Sequence, residues 1–291
     1  MNSTIYNDFL TIGADTKGAE LMSIKTIKDN VEYLWQADTK VWCRHAPILF
    51  PIVGRLNEDK TVIEGETYSM GQHGFARDLE FKIIDKTKKS ISYELLYNED
   101  TLKKYPYKFN LLVKYTLIEN KLEISYRVKN IDDKVIYFSI GAHPGFICPL
   151  FQDEKFEDYF LEFSNKENAD IYLFEDGMFS GGRAPNLKGD TIIPITRELF
   201  INDALVYEKL ASSSISLNSR KHQRGIKITF QGFPYLGIWS RPQGDGDFVC
   251  IEPWFGLADF KNSDGIFKNK QGMLSLKAAK SFECKFEIEV N

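Results

Sequence analysis

The chain has 291 residues, 43% hydrophobic and 27% charged, with a formal net charge of -4; that length and composition support a large core without staples, and the interspersed charges leave no electrostatic footprint for nucleic acid. No segment reaches the ~18 consecutive apolar residues of a bilayer span, and the opening MNSTIYNDFL lacks the basic and apolar regions of a secretory signal. The expectation is a cytoplasmic protein that engages neither membrane nor nucleic acid, with its oligomeric state left open.

Short runs of β-branched and aromatic residues begin at once, predicting strands over 9–12, 19–24 and 31–35. A further strand is expected over 62–68, then 79–84 and, across the basic turn at 86–89, 91–97. Residues 99–104 alone look helical in this half, as about one turn stopped by Pro106. Phe109, Leu111, Val113, Tyr115 and Leu117 alternate with polar or outward positions, and Leu122, Ile124, Tyr126 and Val128 repeat the pattern after a turn at 119–121. Period-two alternation on both sides of a short turn is a hairpin. A strand over 135–140 runs into Gly141, Ala142 and His143. Residues 165–189 hold several glycines and little pattern, and read as a long irregular excursion. Ile215 and Leu217 mark a short strand, 225–230 and 235–239 a pair, and Phe282, Cys284, Phe286, Ile288 and Val290 a closing one. Many antiparallel strands and almost no helix make this an all-β chain, a large antiparallel β-sandwich in preference to a barrel. Without a linker, repeat or change of composition, residues 1–291 read as a single domain.

The segment Phe248 to Asp259, FVCIEPWFGLAD, holds one residue that does not fit. Glu252 sits between an apolar run and the rigid Pro253-Trp254-Phe255, where a strand would be buried. A buried carboxylate must be paired, neutralised or employed. Three other polar residues lie in similar apolar or glycine-rich settings: Arg55 in PIVGRLN, His73 in GQHGFARD and His143 in GAHPGF. One carboxylate and two imidazoles, if they converge, can move protons as acid and base near neutral pH. Of the remaining histidines, His45 reads as a loop residue with a structural bond and His222 as solvated. No HxH or HExxH spacing is present, so no metal is expected. The four cysteines (Cys43, Cys148, Cys250, Cys284) include no CxxC and are expected as free, mostly buried thiols.

Glycoside hydrolysis needs a second carboxylate across the sugar, and Asp78, Asp203 and Asp259 are the acids that could supply it. Trp42, Tyr68, Phe75, Tyr235, Trp239, Trp254 and Phe255 offer faces for the apolar side of a pyranose, although four or more of these seven are expected in the core. Arg55 and Arg77 can hold hydroxyls or, if both enter one groove, a phosphate. Asp78 or Glu80 could equally satisfy Arg77 as a structural residue.

Taken in order, PIVGRLN (51–57), QHGFAR (72–77), GAHPGF (141–146) and IEPW (251–254) resemble the motifs of the aldose 1-epimerase (galactose mutarotase) superfamily over nearly the full chain. The resemblance is greatest to mutarotase-like proteins found with lactose-utilisation genes in lactic-acid bacteria. It implies a large antiparallel β-sandwich with a sugar cleft on one sheet and no cofactor. It further implies Glu252 as general base, His143 as general acid, His73 at the ring-oxygen side of the sugar, Arg55 on a hydroxyl, and Asp203 of NDALVY as a sugar-binding aspartate. The His-Gly-Phe-Ala-Arg order is closer to the hexose-6-phosphate mutarotase branch than to His-Gly-Gly, which makes Arg77 a pointer to an anionic sugar. The expected function is interconversion of the α and β anomers of a hexose or hexose phosphate. A sugar-binding or sensing protein of the same fold and a glycoside-processing enzyme are the alternatives.

Overall fold

The computed structural model describes residues 3–242 and 246–291. Two antiparallel sheets carry most of the chain. The larger has nine strands, in spatial order Met178–Pro194, Tyr159–Glu175, Ser214–Ser219, Gly225–Thr229, Ser281–Val290, Lys121–Asn130, Phe109–Ile118, Ser90–Leu96 and Lys82–Lys86. The smaller has Leu205–Glu208, Tyr235–Trp239, Phe248–Phe255, Ile140–Ala142 and Ile48–Leu49 in order, with Gly145–Ile147 also paired to Phe248–Phe255. A three-stranded sheet, Ser3–Tyr6, Leu10–Ala14 and Leu21–Thr26, and two hairpin-sized pairs complete it. The fold is the expected all-β sandwich.

Alternation explains why the sheets stack. In the Phe109–Ile118 and Lys121–Asn130 hairpin the odd residues of one strand and the even residues of the other are buried, because successive side chains point to opposite faces. They meet Leu236, Ile238, Val249 and Ile251 of the smaller sheet in one continuous core. Full burial of each such side chain is worth ~1.5–3 kcal/mol. The α-helical turn Glu99–Leu102 is capped by Asn98 and Thr101 in a reciprocal box.

Three local expectations need correction. The strand expected at 62–68 is a hairpin, Lys60–Ile63 and Glu66–Ser69, because Glu64 and Gly65 both take positive φ (54° and 91°), the tight turn that matches strand twist. Residues 31–35 make only isolated bridges, since the Glu32 carboxylate accepts the backbone N–H of Ile24 and Leu34. The supposed excursion at 165–189 belongs to a hairpin of two 17-residue strands, Tyr159–Glu175 and Met178–Pro194. Its ladder carries four register shifts, and each shift resets the period-two pattern.

Candidate active site

The strand Phe248–Phe255 is buried on both faces. Val249 and Ile251 enter the core; Cys250, Glu252 and Trp254 share the opposite face, where Glu252 and Trp254 help floor a cavity of about 490 Å³. The Trp254 indole has room to lie there because two glycines of the neighbouring strands lack side chains: a Cβ on Gly141, opposite Trp254, or on Gly237, opposite Glu252, would come within 2.6 Å of the ring. Two short strands pair with this one in a common register, Gly141 opposite Trp254 and Gly145 opposite Cys250. His143, midway between them, therefore falls opposite Glu252. Its Nε2 lies 3.2 Å from Glu252 Oε2, off the N–H direction, so that the buried Oε2 has no hydrogen-bond partner.

His73 arrives from a loop with φ +66°. Its backbone N–H donates to Gly54 O at 2.8 Å, and Gly54 N–H donates back to the ring Nδ1 at 3.1 Å. An Nδ1 that accepts carries no proton, so neutral His73 bears its hydrogen on Nε2. Its ring stands edge-on to His143, centroids 5.5 Å apart. Trp42 packs 5.0 Å from the His143 ring and Trp239 5.9 Å from it on an edge.

Burial governs the charge states. It pushes His73 well below the ordinary imidazole range, with His143 and the Arg77, Arg44 and Arg55 guanidiniums adding to the effect. It pushes His143 down to about 3 and the Glu252 carboxyl well above its usual range, helped by the Asp203 charge. Desolvation opposes ionisation of both partners. Carboxylic acid plus imidazole, or carboxylate plus imidazolium, hold the same single proton between them.

All seven sequence-derived positions, Glu252, His143, His73, Arg55, Arg77, Asp203 and Trp239, line this one cavity. Asp203 sits at φ +86°, accepts its neighbour Ala204 N–H, and has its carboxyl raised by burial against the lowering pull of Arg55. Arg77 is not satisfied by Asp78 or Glu80. Asp78 pairs with Arg44 at 2.7 Å, whereas Arg77 donates from one terminal nitrogen to Gln72 O and keeps a buried Nε without a partner. Of the other acids considered, Asp259 is taken: it pairs with Lys270 Nζ at 2.8 Å, both side chains buried, and accepts Asn57 N–H.

A family model described as aldose 1-epimerase matches residues 3–262. The chain belongs to the aldose 1-epimerase family. It is 37% identical over 279 residues to protein LacX, in chromosomal and plasmid forms, from Lactococcus lactis subsp. lactis, covering 93% of each chain. Among solved structures it resembles a galactose mutarotase related enzyme from Lactobacillus acidophilus, with TM-score 0.97, 37% identity and coverage of 100% of this chain and 97% of that one. A galactose mutarotase-like protein from Lactobacillus casei gives TM-score 0.94 at 32% identity, with both chains fully covered. Membership of this family supports a mutarotase-like role on a small sugar.

Several cavity residues were not assigned to the site from sequence. Trp42 appeared there only among general stacking faces, and Gln72 only as part of a motif. Phe174, Gly177 and Phe179, at the tip of the long hairpin, cover one side of the cavity. The tip is fastened by Phe179 N–H to Asp259 O and Lys261 N–H to Phe179 O, both 3.0 Å. Asp259 N–H also holds Arg55 O at 2.8 Å, so one aspartate ties three cavity segments together. Outside the site, His45 is tied to Glu20 through its backbone N–H, as a structural loop residue should be. His222, expected to be solvated, is half-buried with Nε2 3.2 Å from both Glu154 and Tyr159 Oη. Among the described residues no helix is long and apolar enough to cross a membrane.

Proposed function

We propose that the chain is an aldose 1-epimerase that interconverts the α and β anomers of a hexose or hexose phosphate, with Glu252 and His143 as the proton-transferring pair. The observation that carries this reading is the placement of one carboxyl and one imidazole, 3.2 Å apart, on the floor of a sugar-sized cavity. With the anomeric end of the sugar against both groups, Glu252 takes the proton of the anomeric hydroxyl as His143 protonates the ring oxygen. The C1 to ring-oxygen bond breaks and an open aldehyde forms. Rotation about the C1–C2 bond presents the other carbonyl face, and reclosure returns each proton along its path. Anomers are interchanged without net gain or loss of protons, which suits a pair that holds one proton in either arrangement.

The remaining groups act by position. His73 offers a neutral Nε2–H as a hydrogen-bond donor near the ring oxygen, and Arg55 and Asp203 bind hydroxyls. Trp239, with Trp42, presents aromatic surface to the apolar face of the pyranose. Arg77, with a buried unpartnered Nε and Arg44 beside it, favours a substrate carrying an anionic group, because an unpaired guanidinium in a recess is costly until an acceptor arrives. The test is the rate of anomer interconversion on freshly dissolved galactose, glucose and their 6-phosphates. If the chain instead binds sugar without turnover, binding will be measurable while the rates stay at the uncatalysed value.

A further inference from the structure

The face of the Phe248–Phe255 strand that carries Glu252 also carries Cys250, two residues before it. Cys250 is a free, fully buried thiol. Its Sγ, a ring nitrogen of His143 and a carboxylate oxygen of Glu252 all lie within 4.8 Å of one another. The three donors come from the register described above: Gly145 pairs with Cys250 and His143 falls opposite Glu252. No HxH or CxxC spacing announces them, because the sheet assembles them from separate segments.

We propose that His143, Cys250 and Glu252 form a binding site for a thiophilic divalent cation, zinc or cadmium, and that its occupation silences the proton-transferring pair. A sulfur, nitrogen and oxygen donor set selects zinc-like ions over magnesium or calcium. Tetrahedral bonds of about 2.0–2.3 Å place ligand atoms roughly 3.5 Å apart. The cluster therefore needs only small side-chain rotations to close on an ion. A second observation points the same way: Glu252 Oε2 is buried with no hydrogen-bond partner, so coordination supplies a contact that the free protein lacks. The cavity gives the ion a route, since His143 and Glu252 line it, and it leaves a further coordination position for water. On binding, the thiol proton of Cys250 and the carboxyl proton of Glu252 are released to solvent; no electrons move. An ion in this position removes the acid and the base together. That inhibitory consequence rests on the proposed epimerase function, whereas the binding itself does not.

The test uses chelator-treated full-length protein carrying Cys43→Ser, because Cys43 is exposed and would bind cadmium on its own. Cadmium titration is expected to raise a thiolate-to-cadmium charge-transfer absorbance that saturates at one ion per chain and disappears in the Cys250→Ala variant, or in Cys250→Ser if alanine fails to fold. Zinc is expected to stop anomer interconversion where magnesium at equal concentration does not. Measured against its own zinc-free rate, the same Cys250 variant should need ~10-fold or more additional zinc for the same inhibition. Absence of the band, or a band indifferent to the Cys250 substitution, overturns the site whatever the sugar activity proves to be. A site that binds cadmium in a protein inactive on every sugar would leave the metal inference standing and remove the epimerase reading.

Discussion

His143, in the two-residue link between the strands Ile140–Ala142 and Gly145–Ile147, stands opposite Glu252 of Phe248–Phe255, its Nε2 3.2 Å from Glu252 Oε2. The separation is a property of the sheet: the pairs Gly141 with Trp254 and Gly145 with Cys250 fix the register on both sides of His143. Directly opposed residues have their Cβ atoms ~4.5–5.5 Å apart, so the ladder pairs on either side of His143 bring the two side chains within reach of each other.

Glu252→Gln and His143→Asn should each fold normally and lower the turnover number by ~10² or more, the usual cost of losing a positioned proton-transfer group. Single-turnover or steady-state mutarotation with a matching circular dichroism spectrum checks this. Full activity in either variant removes that residue from its role.

The pH profile follows from the directions in which burial moves the two groups. His143, pushed down to about 3, is neutral throughout the ordinary histidine range, and a second proton joins the pair only in strong acid. Glu252, pushed up, gives up the shared proton as pH rises through its raised value. Activity should therefore remain flat on descending through pH ~6.5, the unperturbed histidine value, and fall on the alkaline side. An acid limb centred at the ordinary histidine value and abolished by His143→Asn contradicts this.

Arg77→Ala should lower kcat/KM on glucose 6-phosphate far more than on glucose. A hydrogen bond to a charged group is worth ~1.5–3 kcal/mol, hence a differential of ~10- to 100-fold. Equal losses on both sugars assign Arg77 to shaping the loop alone.

The backbone of Asp259 bonds both Arg55 and the tip of the long hairpin, and its carboxylate forms a buried pair with Lys270. Lys270→Met alone strands a buried carboxylate and should cost ~3–5 kcal/mol of unfolding free energy, while Asp259→Asn with Lys270→Met should recover most of it. Urea denaturation of the two variants decides; a single variant as stable as the double denies the pair its role.

How much of this was legible beforehand depended on whether the signal was local. The Phe109–Ile118 hairpin could be read because its burial alternates without interruption. Glu252 could be read because a carboxylate breaks an apolar run. Apolar or glycine-rich settings brought Arg55, His73 and His143 to attention, the family motifs implied roles for them and for Arg77, and one cavity holds all four. The long hairpin escaped because its register shifts erase the period that identifies a strand, and with it went Phe174 and Phe179. Asp259 looked like a spare acid, since nothing in the chain pattern ties it to Lys270 eleven residues on. Cys250 looked like ordinary core for a similar reason: its relation to His143 exists only in the register of the sheet.

The most direct measurement is magnetisation exchange between the α and β anomeric protons of glucose 6-phosphate and galactose 6-phosphate, and of the free hexoses, with catalytic amounts of protein. The account predicts exchange accelerated by the wild type on at least one of these sugars and returned to the buffer rate by Glu252→Gln. Exchange at the buffer rate for all four sugars with folded wild-type protein would contradict it.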